Sequence, residues 1–208
     1  TTRPSRDALP VSNQFDKTAN RQAQVETAGP GIWEQTGGKV DGCVASVGSG
    51  GTLAGVAMAL QPKGVKIGLA DPEGAALFSY YTTGEFASPG NSITEGIGQG
   101  RITKNLEGFK PDVSFRIPDT EAVAEVFQLM QEEGLSLGVS SGINVAGAIR
   151  LARHLGPGHT IVTILCDGAA RYASKLFTPD FRREKGRPTA DWLGAETGGA
   201  LPDWRAEA

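Results

Sequence analysis

Val44-Ala45-Ser46-Val47-Gly48-Ser49-Gly50-Gly51-Thr52-Leu53-Ala54-Gly55 is the stretch on which the fold turns. A short apolar run ends in small residues, then a threonine, then an amphipathic segment through Leu60. This pattern reads as strand, glycine-rich turn and helix. In such a turn several backbone N–H groups converge, and the following helix directs its positive end at the same point, so an anion fits there. The stretch is not a P-loop, because no Gly-Lys-Ser/Thr follows at the required spacing. Nor is it a dinucleotide fingerprint, since Leu53 stands where the third glycine belongs. Two readings stay open on local pattern: a phosphate cradle, or a turn that is glycine-rich for backbone packing alone.

Working outward, a βαβ unit takes shape. The strand Gly42–Val47 precedes the turn, the helix Leu53–Leu60 follows it, and Val65–Ala70 is the next strand, ending in Asp71-Pro72-Glu73-Gly74. Two strands joined through a helix run parallel. Further on, Val113–Ile117 is a strand, and Pro118-Asp119 supplies an N-cap. Val123, Val126, Phe127 and Met130 then recur at helical spacing until Gly134. Leu135–Val139 reads as a short strand followed by the Ser140-Ser141-Gly142 loop and a helix with Val145, Ala146, Ile149 and Leu155 inward. Thr160–Leu165 is a β-branched buried strand ending in Cys166-Asp167-Gly168. Upstream, Ala23–Gln35 reads as a helix interrupted near Gly29-Pro30-Gly31. Residues 75–112 show the least periodicity, and a stretch of that length without regular pattern inside an α/β domain is usually functional. The expectation is an α/β fold, a mostly parallel twisted sheet with helices on both faces.

Three small-residue loops therefore follow strand ends: 48–52, 140–142 and 166–170. In open α/β sheets ligands sit outside those ends, and their convergence favours a phosphate-bearing ligand. Composition sets bounds on the rest. The 208 residues carry a net charge of −3 with both signs mixed, which suggests neither nucleic acid nor an anionic membrane surface as partner. No stretch has the roughly 18 uninterrupted apolar residues of a membrane helix, and Thr1–Asp7 lacks a signal-peptide core. Cys43 and Cys166 both lie in strand-like apolar runs, and read as buried reduced thiols of a cytoplasmic protein. The 29 glycines, about twice the usual share, mark many tight βα turns. Residues 1–12 read as an irregular lead-in, 13–193 as the α/β domain and 194–208 as a polar tail.

Five motifs occur in order: Asn13-Gln14-Phe15, Thr27-Ala28-Gly29-Pro30-Gly31-Ile32-Trp33-Glu34-Gln35, Gly48-Ser49-Gly50-Gly51-Thr52, Glu95-Gly96-Ile97-Gly98 and Ser140-Ser141-Gly142. Together they resemble the C-terminal part of cysteine synthase (O-acetylserine sulfhydrylase), one of the pyridoxal 5'-phosphate enzymes of the tryptophan-synthase-β-like, fold type II group. The resemblance runs from about residue 12 to about residue 193. It implies that Gly48, Ser49, Gly50, Gly51 and Thr52 hold the cofactor phosphate. It implies too that Gln14 and Phe15 stand near the substrate carboxylate, and that Gly96 and Ile97 line the pocket entrance. Asp167 lies where the family has a serine at the pyridine nitrogen, and a carboxylate there would favour a protonated ring. Its other reading is a helix N-cap. Ala169 replaces a usual glycine nearby.

The same resemblance exposes an absence. The family carries its cofactor on a lysine in the N-terminal part, followed by a substrate loop, and this chain begins after both. None of Lys17, Lys39, Lys63, Lys66, Lys104, Lys110, Lys175 and Lys185 stands in a matching context. No catalytic residue and no metal ligand is therefore identified, and the chain reads as the phosphate half of an enzyme. For a full-length parent the resemblance implies synthesis of L-cysteine from O-acetyl-L-serine and sulfide. It also implies a homodimer, and binding of a serine acetyltransferase C-terminal tail. Cystathionine β-synthase-like and desulfhydrase-like chemistries stand beside this reading. So does a non-catalytic module that binds a phosphate or a partner without the lysine.

Overall fold

The computed structural model describes residues 13–178 and Gly186. The lead-in at 1–12 and the tail at 194–208 lie outside the described residues. Four strands, β1 (Gly42–Ala45), β2 (Lys66–Pro72), β3 (Val113–Ile117) and β4 (Ile161–Thr163), form one sheet in the order β3-β2-β1-β4. Every pairing is parallel, with Gly42 opposite both Lys66 and Ile161, and Gly68 opposite Val113. The expected parallel sheet is therefore present.

Alternation along the strands sends side chains to two cores, one on each face. Val44 of β1 and Ala70 of β2 pack with α5 (Asp119–Glu133) and α6 (Val139–Leu155). Their neighbours Cys43, Ala45, Ile67 and Leu69 pack on the opposite face with α3 (Gly51–Leu60) and, through Ile32 and Trp33, α2 (Ala28–Gln35). Val123, Val126 and Phe127 of α5 are fully buried, as their spacing requires, and Gly134 caps the helix at φ 68°.

Several local expectations are corrected. The Ala23–Gln35 helix is two helices, α1 (Ala19–Glu26) and α2, broken at Thr27 with φ −125° and ψ −72°. Gly29-Pro30-Gly31 falls within the first turn of α2, where Pro30 costs no intrahelical bond. The strand expected at Leu135–Val139 is reduced to one antiparallel bridge, Leu137 to Gly168. Ser140-Ser141-Gly142 consequently sits inside the first turn of α6. The buried stripe of α6 runs through Val139, Ile143, Ala146 and Leu151, whereas Val145 and Ile149 are half-buried. Cys43 is buried and Cys166 is exposed, both free, because β4 ends at Thr163 and leaves Cys166 in the turn beyond it. Within 75–112 the chain forms one short α-helix, α4 (Leu77–Thr83), then a long strap along the C-terminal edge of the sheet and a single 3-10 turn at Lys104–Leu106.

Candidate functional site

A cavity of about 250 Å³ opens at the C-terminal ends of β1 and β4. Its walls come from the glycine turn after β1, the strap at Gly96-Ile97, Gln14 from the N-terminal turn, and Asn144, Ile164 and Cys166 on the β4 side. Among the described residues no charged side chain lines it, and no lysine does.

The turn is shaped by close approaches. Gly50 sits at φ +88°, in the left-handed region that L side chains rarely adopt, and α3 starts one residue later. A Cβ on Gly48 would lie 2.3 Å from the Gly96 carbonyl oxygen, so that glycine is what lets the strap close over the turn. The strap is fastened there by Gly98 N–H donating to the Val47 carbonyl at 3.0 Å. Where a Gly51 Cβ would go stands the carboxamide of Asn20, 2.2 Å away.

Two buried groups then orient the Ser49–Gly50 peptide. The Ser49 carbonyl accepts from Thr103 Oγ1 at 2.7 Å and from Asn105 Nδ2 at 3.3 Å. Because the peptide is trans, the Gly50 N–H points away from that pair. The first N–H groups of α3 have no acceptor within their own helix. This arrangement fits a phosphate: backbone donors and the Ser49 and Thr52 side chains border a cavity without charged side chains. Ser49 Oγ accepts from Asn20 Nδ2 at 2.7 Å.

Asn105 also ties in the N-terminal turn. Fully buried, it donates to the Gln14 carbonyl at 2.8 Å and to the Phe15 carbonyl at 3.2 Å, and its Oδ1 accepts from Arg21 N–H at 3.3 Å. Gln14 thereby reaches the cavity. Phe15 does not line it, and its ring lies under the Arg101 guanidinium at 5.9 Å.

On the opposite wall, Cys166 lines the cavity and Asp167 does not. Asp167 Oδ1 accepts from Ser140 Oγ at 3.0 Å, and Oδ2 lies 3.7 Å from Arg171. Ser141 Oγ accepts from the Cys166 N–H at 2.8 Å, so the two serines that open α6 pin this turn. Although Cys166 is exposed as a residue, protein packed around its sulfur strips away part of the solvent and raises the thiol above its ordinary value, with the Asp167 charge adding to it. Arg171 also meets Glu95 at 3.3 Å and Lys175 meets it at 2.7 Å; these two cations hold the Glu95 carboxyl below its usual range. Tyr172 OH donates to the Glu95 carbonyl at 3.3 Å, joining the strap to the C-terminal turn.

Of the residues expected at the site, Gln14, Gly48, Ser49, Gly50, Thr52, Gly96 and Ile97 come together around one cavity. Gly51 supports the turn from behind, and Phe15 and Asp167 stand outside the lining. Sequence reasoning missed Asn20, Thr103, Asn105 and Asn144. Asn105 and Asn144 are polar residues that are nearly or wholly buried; Asn144 stands between the apolar Ile143 and Val145 early in α6, and a carboxamide at a buried helix position was the available signal.

Comparison with known proteins fits this geometry. Residues 6–167 match the family described as "Pyridoxal-phosphate dependent enzyme". Cysteine synthase 1 of Emericella nidulans is 51% identical over 185 residues, covering 84% of this chain and 49% of that protein. Cysteine synthase A of Escherichia coli is 36% identical over 177 residues, covering 83% and 55%. A crystal structure described as an O-acetylserine dependent cystathionine beta-synthase from Helicobacter pylori superposes with a TM-score of 0.69 at 33% identity, covering 78% of this chain and 51% of that one. The chain spans about half the length of the curated relatives it matches.

Proposed function

Because the chain belongs to the pyridoxal-phosphate dependent enzyme family, we propose that it forms the cofactor-phosphate half of a cysteine synthase. In the full-length polypeptide, O-acetyl-L-serine and sulfide would give L-cysteine and acetate. The observation that carries the reading is the cavity itself: the glycine turn and the Gly96-Ile97 strap face each other across one space, as the family resemblance requires.

When bound, pyridoxal phosphate supplies the electron sink for chemistry at the substrate's α-carbon, and the protein supplies binding and orientation. Gly48, Ser49, Gly50, Gly51 and Thr52 would hold the phosphate, the backbone through N–H groups and Ser49 and Thr52 through their hydroxyls. Gln14 and Phe15 would stand on the substrate-carboxylate side. Gly96 and Ile97 would close the entrance and limit water. Asp167 is proposed as partner of the ring nitrogen from its place after β4, which requires its carboxylate to leave Ser140 and Arg171. Asp167→Ser tests this: a shifted absorption band of the bound cofactor supports the role, and an unchanged band refutes it. The covalent attachment of the cofactor would come from a lysine outside these residues. A homodimer, a serine acetyltransferase tail as partner and a cytoplasmic location belong to the same proposal.

The likeness to the O-acetylserine dependent cystathionine beta-synthase of Helicobacter pylori favours a second reading, in which a thiol amino acid replaces sulfide. One experiment separates these readings from a non-catalytic module. The protein is mixed with pyridoxal phosphate, reduced with borohydride and mapped by mass spectrometry, then assayed with O-acetylserine plus either sulfide or homocysteine. An adduct on a lysine outside the 208 residues, with cysteine formed from sulfide, supports the proposal. Turnover with homocysteine alone selects the second reading, and no uptake at all refutes both.

A further inference from the structure

Asn144 has no role in the reading above, yet it lines the cavity while almost wholly buried, at 1% exposure. It sits one turn into α6, under the point where β1 and β4 part. Those strands pair in register only from Gly42–Ile161 to Val44–Thr163. Beyond that point side chains take over the connection. Thr163 Oγ1 donates to the Val44 carbonyl at 2.7 Å, and the Asn144 carboxamide spans the gap that follows. Asn144 Oδ1 accepts from the Ser46 N–H at 2.7 Å. Its Nδ2 donates to the Ile164 carbonyl at 2.7 Å and reaches Cys166 Sγ at 3.4 Å.

We infer that Asn144 is a positioning residue for the cofactor: its carboxamide stands in for a missing ladder rung and sets the spacing between the two walls. Ser46 leads directly into the glycine turn, and Ile164 leads directly into the Cys166-Asp167 turn. A carboxamide is a neutral planar side-chain group that carries an acceptor and a donor at its two corners, as this gap demands. Both partners are backbone groups, so the register between the walls is held by the fold and not by flexible surface side chains. The inference rests on the reading that this cavity takes pyridoxal phosphate, with the phosphate at the glycine turn and the ring toward β4.

Two substitutions separate the two ends of the carboxamide. Asn144→Ala leaves both Ser46 N–H and Ile164 C=O without their partner. Asn144→Asp keeps an acceptor for Ser46 and places a carboxylate oxygen against the Ile164 carbonyl. In the unliganded protein, exchange of the Ser46 amide should accelerate at least about tenfold in Asn144→Ala and stay near wild type in Asn144→Asp. In the loaded protein, Asn144→Ala should shift both the phosphorus-31 resonance and the absorption band of bound pyridoxal phosphate. Asn144→Asp should shift the band alone. Glu121→Gln on α5, which breaks the ion pair with Arg150 of α6, is the control for general destabilisation and should move neither signal. An unchanged band in Asn144→Ala, or the same shift in Glu121→Gln, overturns the positioning role while leaving the functional reading intact. Wild-type protein that takes up no pyridoxal phosphate overturns both, even with the Ser46 amide protected.

Discussion

Gly48→Ala is the sharpest test of the strap-over-turn geometry. The added Cβ would lie 2.3 Å from the Gly96 carbonyl oxygen, where real contacts stay beyond 3.0 Å. The strap must therefore retreat by about 0.7 Å, or the turn must, and both are backbone with no flexible side chain to yield. Overpacking of this kind costs about 1–3 kcal/mol. Retreat of the strap also strains the 3.0 Å Gly98–Val47 hydrogen bond, worth about 1 kcal/mol when lost. For a domain of this size each kcal/mol lowers the melting temperature by about 2–4 °C, so the two costs together, about 1–4 kcal/mol, give an expected fall of about 2–16 °C. The same movement separates two walls of the cavity, and about 1.4 kcal/mol of lost cofactor binding would weaken affinity about tenfold. Thermal unfolding of the unliganded protein and titration with pyridoxal phosphate read the two effects separately. Gly100→Ala is the matched control, because nothing lies within 4 Å of its Cβ position. Wild-type melting and affinity in Gly48→Ala would refute the argument, as would equal losses in Gly100→Ala.

Asn105→Ala removes the group that joins Gln14, Phe15 and Ser49; a stability loss of about 1–3 kcal/mol by denaturant unfolding is expected, together with weaker cofactor binding. Asp71 is fully buried, with Oδ2 accepting from the Phe78 N–H at 2.8 Å and Oδ1 unpartnered among the described residues, and burial pushes its pKa up from 3.8 to about 6. An acid raised in the folded state is deprotonated first in the unfolded chain, so this group lowers stability as pH rises from about 4 to about 6. The loss is at most about 3 kcal/mol, and Asp71→Asn should flatten that part of the stability–pH curve relative to wild type. At alkaline pH iodoacetamide should label the exposed Cys166 ahead of the buried Cys43, whose thiol burial pushes up to about 12. Pyridoxal phosphate should protect Cys166, and peptide mapping showing equal labelling with and without it would place the cofactor elsewhere.

The glycine-rich turn was legible in the chain because a turn between an apolar run and a helix is a local matter: residues 42–55 contain the strand, the turn and the helix start within one window. The parallel sheet and its two cores followed for the same reason, since alternation along Cys43–Ala45 and Ile67–Ala70 is set by backbone geometry. Local pattern failed where its signal was short or depended on neighbours. Leu135–Val139 has a strand's apolar content but lacks a sheet edge to join, and Thr27 breaks α1 from α2 without a glycine or proline of its own. Tertiary structure alone decided what surrounds that turn. Asn20, Thr103, Asn105 and Asn144 reach it from positions 29 to 98 residues away along the chain, and hydrogen bonds over that separation leave no periodic trace. The turn after β4 shows the same division. Sequence placed Asp167 there, while folding turned Asp167 to Ser140 and Arg171 and presented Cys166 to the cavity. Which of two adjacent side chains faces a ligand depends on partners brought by another helix.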